Sequence, residues 1–267
     1  MTAGRAARTP ATATTLTVNG DASDTNCVPT QCLSTQEVTT STQPSLSLNA
    51  NAGASVYSGY ADLATGKLGA HASAAANVIV DGAFLNPESV AEAVSTLDET
   101  IHVEGTVTTP VTAFFTVTLH GILNPGEELP FSNEPSAAAT IQVGSNAFTT
   151  PFSQYDFETR GCPIGGVIGD QSCINTNAID WRISEPFLIS TTNEAIRFDI
   201  QLLAEAFDGG NADLSHTVGL SLSLPEGLTF TSDSGVFLTQ APVPEPSSAL
   251  MLAIGVLCVV TRASKKR

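Results

Sequence analysis

The side chains in this chain that can do chemistry are four histidines, five cysteines and an unusually large set of carboxylates. His71, His102, His120 and His216 stand singly, with no H-x-H or H-x3-H pair, so none has the spacing of a metal ligand. Each is expected on the face of a strand. Glycoside hydrolysis needs two acids roughly 5 to 10 Å apart across a sugar. Asp156 and Glu158 would share a face on a strand, but with 25 acids between residues 11 and 243 some pair meets that distance by chance. The segment Asp208-Gly209-Gly210-Asn211-Ala212-Asp213 offers oxygen ligands and glycines suited to structural Ca²⁺ through Asp208, Asn211 and Asp213. It lacks the later bidentate glutamate of an EF-hand, so a polar hairpin turn is the favoured reading and calcium the alternative. No G-x-S-x-G elbow, H-E-x-x-H pair or G-x-x-x-x-G-K-[ST] loop occurs. The chain is expected not to be an enzyme and to need no cofactor and no metal, with that calcium as the one alternative.

The cysteines fall into two close pairs and a singleton. Cys27 and Cys32 enclose Val-Pro-Thr-Gln, while Cys162 and Cys173 enclose a Pro- and Gly-rich loop. Two local disulfides would need the least chain closure, although four cysteines allow three pairings. Spacings of four and ten residues fit zinc knuckles poorly. Gly165-Gly166-x-x-Gly169 lacks a lysine, so it reads as a surface loop between cysteines, not a phosphate cradle. Trp181 is the single tryptophan, with Ile179 and Ile183 at period two beside it, and is expected inside a sheet sandwich. An exposed Trp181 beside paired acids would instead mark a carbohydrate-binding or carbohydrate-active module.

These residues sit on short alternating segments. Val111, Phe115, Val117 and Leu119 fall at period two, as do Ile196, Phe198, Ile200 and Leu202, and the run Val218 to Leu224. Pro225-Glu226-Gly227 stops the last of these, because proline removes a ladder donor and glycine permits the turn. The alanine-rich piece 70–76 has helical propensity but no 3.6-residue stripe, and small residues also suit a closely packed sheet face. Residues 89–97 fit a helix and a strand equally. The pattern predicts an all-β fold, an antiparallel two-sheet sandwich of jelly-roll type, followed by a short C-terminal hydrophobic helix. The domain reading is a Thr-rich lead-in over 1–43, a sandwich body over 44–240, a Pro-rich linker over 241–248 and the helix with its basic end over 249–267.

Charge narrows the partners. The formal net charge is −16, and between residues 11 and 243 there are 25 acidic against four basic residues, a net −21. Such a surface repels phosphate backbones, so no nucleic-acid partner is expected. At the N-terminus, residues 1–13 carry two arginines but no apolar run of roughly 7 to 15 residues as a secretory signal needs. A start upstream of Met1 is the favoured explanation.

The C-terminus is more specific. Val243-Pro244-Glu245-Pro246-Ser247-Ser248 fixes φ repeatedly and removes donors, so it is expected to be extended and exposed. Ala249 to Val260 follows without a charge, then Arg262 and Lys265-Lys266-Arg267. Twelve helical residues cover roughly 18 Å, short of the roughly 30 Å of a hydrocarbon core, so insertion depends on flanking residues and on the basic end snorkelling at the cytoplasmic face. This order of parts closely resembles the PEP-CTERM sorting signal of Gram-negative bacteria, over about the last 25 residues. The resemblance implies recognition near Pro244-Glu245-Pro246 by an exosortase, a membrane protease-transpeptidase. Arg262, Lys265, Lys266 and Arg267 would act as the membrane stop. It further implies export to the envelope or extracellular polysaccharide matrix, a transient inner-membrane anchor removed by cleavage, and exopolysaccharide as a possible partner. The body is then expected to be a structural or interaction protein of that matrix, with the carbohydrate-directed module as the alternative.

Overall fold

The computed structural model describes residues 14–24, 33–76, 79–80, 83–84, 89–125, 137–159, 171–175, 177–190 and 195–239. The strands run β1 (Thr15–Ser23), β2 (Leu33–Thr40), β3 (Ser45–Ala52), β4 (Ser55–Asp62), β5 (Lys67–Ser73), β6 (Ile79–Val80) and β7 (Ala83–Phe84). They continue with β8 (Val90–Glu104), β9 (Val111–Asn124), β10 (Ala137–Ser145), β11 (Phe152–Glu158) and β12 (Gln171–Asn175). Last come β13 (Ala178–Ile189), β14 (Ala195–Phe207), β15 (Asn211–Ser223) and β16 (Thr229–Ser232). No helix occurs among the described residues, and the expected C-terminal helix lies outside them.

Two sheets face each other. Sheet A has eight strands in the order β12-β11-β10-β14-β8-β1-β2, with β16 also pairing β8. Sheet B has six, in the order β13-β9-β15-β5-β4-β3. β1 pairs with Val90–Asp98 of β8 and β16 with Ile101–Glu104, so they lie end to end along one edge of that strand. Pairing is antiparallel except that β11 and β12 run parallel. The chain changes sheet repeatedly from β8 onward, which inserts β14 between β10 and β8 and β15 between β9 and β5. Strands far apart in sequence thereby become neighbours.

The alternating runs became β9, β14 and β15, with their apolar sets buried: Phe115, Val117 and Leu119; Ile196, Phe198, Ile200 and Leu202; Val218 and Leu220. Residues 90–97 are strand, as part of β8, because Ala91, Ala93, Ser95 and Leu97 point inward at period two. The alanine-rich piece is strand β5 with Ala70 and Ala72 in the core. One difference concerns the start of the body. Residues 1–43 read as a lead-in, yet β1 is an interior strand of sheet A between β8 and β2, and it buries Leu16, Val18 and Ala22. Its inner face is made of few large residues, which left little apolar signal.

The core has two textures. Around β1, β4, β5 and β8 many Ala and Gly pack beside Leu16, Val18, Leu68 and Leu97, with Tyr57 as the large ring; the Tyr57 hydroxyl reaches Ser34 Oγ at 3.2 Å. A Cβ at Gly20 would come within 2.4 Å of both the Glu92 carbonyl oxygen and the Tyr57 ring, so glycine is required there. Around β9, β13 and β14 the filling is aromatic. Phe198 of sheet A stacks on Phe115 of sheet B at 4.2 Å and 14°, and meets Phe148 and Phe187 at 6.1 Å each. These contacts lock the sheets together and fix the outer face of sheet A, where the polar residues gather.

Candidate functional site

The residues singled out from sequence fall in different places. Trp181 is half-buried between the sheets, tilted against Tyr155 at 4.5 Å and edge-on to Phe157 at 6.1 Å. It packs against the core and forms no exposed platform. The segment from Asp208 is a hairpin turn: Asp208 has φ 45°, its Oδ1 accepts from the Ser89 N–H at 3.1 Å, and the Gly210 N–H bonds the Phe207 carbonyl at 2.8 Å. Asn211 pairs with His71 Nε2 at 3.0 Å, and Asp213 Oδ1 accepts from the Ser215 N–H and hydroxyl. Asp208 and Asp213 thus turn an oxygen to separate partners, and Asn211 is engaged through its Nδ2. Among the described residues no group of three His, Cys, Asp or Glu side chains is arranged to hold a metal ion.

His102 pairs with Asp233 at 2.8 Å in a part-buried contact, and His120 with Asp180 at 3.0 Å on the surface, each across neighbouring segments. Cys27, Cys32 and Cys162 lie outside the described residues; Cys173 stands in β12 opposite Asp156 in register. Pro244, Glu245, Pro246, Arg262, Lys265, Lys266 and Arg267 also lie outside them. No helix among the described residues is long and apolar enough to cross a membrane.

Sequence reasoning missed what the register assembles on the outer face of sheet A. Asp21 stands opposite Glu92, Glu92 opposite Glu205, Glu205 opposite Ala138, and Ala138 opposite Glu158. Four carboxylates therefore share one row across five strands. Like charges directly opposite repel, and partial burial strengthens the effect. Burial, then Glu92, Asp156, Glu158 and Asp21 push the Glu205 carboxyl above the usual range. Glu92 is raised by burial and then by Asp21, and Glu158 by burial and then by Asp156.

Four residues further along β8 the row is uncharged. Thr39, Thr17, Thr96, Gln201, Gln142, Gln154 and Gln171 occupy successive register positions across seven strands. Thr17 and Thr39 hydroxyls meet at 3.3 Å. Gln142 Nε2 donates to Gln154 Oε1 at 3.1 Å, and Gln154 Nε2 donates to Asp156 Oδ1 at 3.0 Å. Asp156 also accepts from Thr140 Oγ1 at 2.8 Å. The carboxylate only accepts, so it orients both amides and leaves Gln142 Oε1 as the acceptor that side chain can offer a ligand.

Beside this row lies a groove of about 540 Å³, lined by Thr96, Gln142, Gly144, Ser145, Asn146, Pro151, Phe152, Arg197, Asp199 and Gln201. Gly144 leaves the floor open, and Phe152, 49% exposed, forms an apolar wall. The rim is held by Asn146, whose Oδ1 accepts from the Arg197 N–H at 2.9 Å and whose Nδ2 donates to the Ala195 carbonyl at 3.2 Å. Arg197 binds Asp98 through both Nε and Nη2, which raises the guanidinium pKa further, and lies 3.9 Å from Asp199. Burial and then Asp98 raise the Asp199 carboxyl against the pull of Arg197. The groove is shallow and open, with a few polar groups beside an aromatic wall.

A further carboxylate is sealed inside. Glu99 is fully buried; its Oε1 accepts from Thr14 Oγ1 at 2.9 Å, the Thr100 N–H at 2.8 Å and the Ser234 N–H at 3.4 Å. It ties the start of β1 and the turn after β16 to β8. That is a structural role.

Comparison with known families bears on the tail. Residues 242–267 match the family described as PEP-CTERM protein-sorting motif. The chain ends in a PEP-CTERM sorting signal. The PEP-CTERM tail marks an exported, envelope-sorted protein and implies an exosortase as its processing partner. The β body ahead of it has no match among curated proteins. A solved structure of infectious bursal disease virus Gx strain aligns with 10% identity and a TM-score of 0.19, covering 81% of this chain and 58% of that one. The chain therefore spans little more than half the length of that viral protein, and the likeness carries no argument about the body.

Proposed function

We propose that this protein is a structural or interaction component of the envelope or extracellular matrix of a Gram-negative bacterium. Its PEP-CTERM tail delivers it and is then cleaved by an exosortase, and its body acts by binding and not by catalysis. The observation that carries this reading is the sorting motif at residues 242–267. In this reading the apolar run 249–260 parks the chain transiently in the inner membrane, with Arg262, Lys265, Lys266 and Arg267 on the cytoplasmic side. The Pro244-Glu245-Pro246 motif then meets the protease outside. The acidic body, net −21 over residues 11–243, suits a soluble matrix component.

The test is the intact mass and location of the protein, recovered with an antibody to the body, in cells with and without the exosortase. Processed protein should lack the apolar run and basic end and should leave the membrane, while the deletion strain should hold full-length chain in the membrane fraction. Uncleaved protein in the cytosol of both strains would refute the reading. The groove beside Phe152 favours carbohydrate as the bound class.

A further inference from the structure

We propose that the groove on the outer face of sheet A binds a neutral, hydroxyl-rich chain, a segment of uncharged polysaccharide, with Gln142, Gln201 and Thr96 as the hydrogen-bonding residues. This rests on reading the body as an exported binding module and names the ligand class of its site.

Three observations carry it. The first is charge. Among the described residues Arg197 is the one Lys or Arg on this face, since Lys67 and Arg182 belong to sheet B, and Asp98 already holds its guanidinium in a two-point pair. With Asp98 and Asp199 beside it, the groove keeps a net negative charge. Phosphates, sulfates and uronates would meet Asp199 with no cation to spare. Charge therefore disfavours an anionic ligand, and an uncharged one meets no such penalty.

The second is hydrogen-bonding character. A sugar hydroxyl both donates and accepts, and side-chain amides and hydroxyls do the same. Gln201 lies between Thr96 and Gln142 in register, so three such groups stand side by side. Asp156 fixes the Gln142 amide through Gln154, so part of the ordering cost is met before a ligand arrives. Phe152 adds an apolar surface for the C–H face of a sugar ring, and Gly144 leaves room above the sheet.

The third is extent. The Thr and Gln row continues from Thr39 to Gln154 across six strands, about 24 Å at the usual strand spacing of about 4.8 Å. A site for a single small molecule has no use for such a row. A polymer lying across the strands does, with its best-held units in the groove. Trp181 has no part in it, because that ring is packed between the sheets.

The test is affinity electrophoresis of the full chain, kept soluble in a non-sugar polyoxyethylene detergent, through gels containing dextran, galactomannan, hydroxyethyl cellulose or alginate. At least one neutral polymer should retard the protein, and alginate should not. Gln142→Ala combined with Gln201→Ala should weaken that binding at least tenfold. Gly144→Trp should weaken it as much by filling the floor; a Cβ there makes ordinary contacts with the Pro151 carbonyl at 3.4 Å and Asp199 Cβ at 3.7 Å, so the first atom of a side chain fits. Glu92→Gln, on the same face outside the groove, should leave it unchanged. Circular dichroism and thermal melting of each variant report folding. The proposal is overturned if none of the three neutral polymers retards the chain, if both groove variants bind as wild type, or if alginate retards it as strongly. Tail processing is read separately by mass, so loss of glycan binding with normal cleavage rejects this inference and leaves the sorting reading standing.

Discussion

Glu205→Gln should make the protein more stable at pH 7 and should do so only where the carboxylate row is charged. Glu205 stands directly opposite Glu92, with Asp21 one strand beyond and Glu158 on the other side past Ala138. A like-charge pair directly opposite costs up to about 1 kcal/mol. A carboxylate two strands away, at about 10 Å, adds roughly 0.2 kcal/mol each after screening at physiological salt. The glutamine keeps the shape and removes a total near 1.5 kcal/mol, a Tm rise of about 3–6 °C for a domain of this size. The pH dependence follows from the raised Glu205 pKa, which burial and then Glu92 produce. In the window between the unfolded carboxylate pKa, about 4.3, and the raised folded value, the native state binds more protons than the unfolded one. That contribution is fully present below about pH 4.3 and is lost as pH rises through the folded pKa. The difference in Tm between variant and wild type should thus grow from near zero at pH 4 to its full value at pH 7, and shrink again in 0.5 M NaCl. Equal stabilisation at pH 4 and pH 7, or a lower Tm at pH 7, would show that the row does not repel as its register requires.

Other expectations follow from the same geometry. Glu99→Ala should destabilise by about 3 kcal/mol in urea unfolding, because it strands the Thr100 and Ser234 N–H groups and the Thr14 hydroxyl, whereas Glu99→Gln should cost less by keeping the Oε1 acceptor. Phe198→Ala should cost about 3–5 kcal/mol by emptying the stack against Phe115, read by the same unfolding curves; a loss under 1 kcal/mol would mean the aromatic end repacks. Gly20→Ala should lower Tm measurably, since a Cβ would press on the Glu92 carbonyl and the Tyr57 ring. Replacing Pro244, Glu245 and Pro246 together by alanine should leave uncleaved chain in the membrane fraction by immunoblot, without altering the melting of the body.

How far the fold was legible can be seen strand by strand. β9, β14 and β15 were readable because Phe115, Phe198 and Val218 sit in runs whose large apolar and polar residues alternate cleanly. β1 was not, because its inward positions include Gly20 and Ala22, and small residues carry little apolar signal even when fully packed. β8 fitted two periods because Val90, Val94 and Leu97 mix both faces; the tertiary partners, β1 on one side and β14 on the other, decided for strand. The parallel pairing of β11 with β12 left no mark in the pattern, since strand direction depends on the path of the connection.

The sequence by itself determined the β class and the address. Period-two alternation is a local property of each strand, and the PEP-CTERM tail is a linear order of parts, so both are visible without a fold. Asp156 and Glu158 could be placed on one face for the same reason. Only the tertiary structure joined Asp21, Glu92, Glu205 and Glu158 into a row, and Thr96, Gln201 and Gln142 into a groove. Those residues come from strands far apart along the chain. Which of them become neighbours is set by strand order and register, and these are fixed by how the two sheets bury Phe115, Phe198 and Tyr57, not by anything within a single strand.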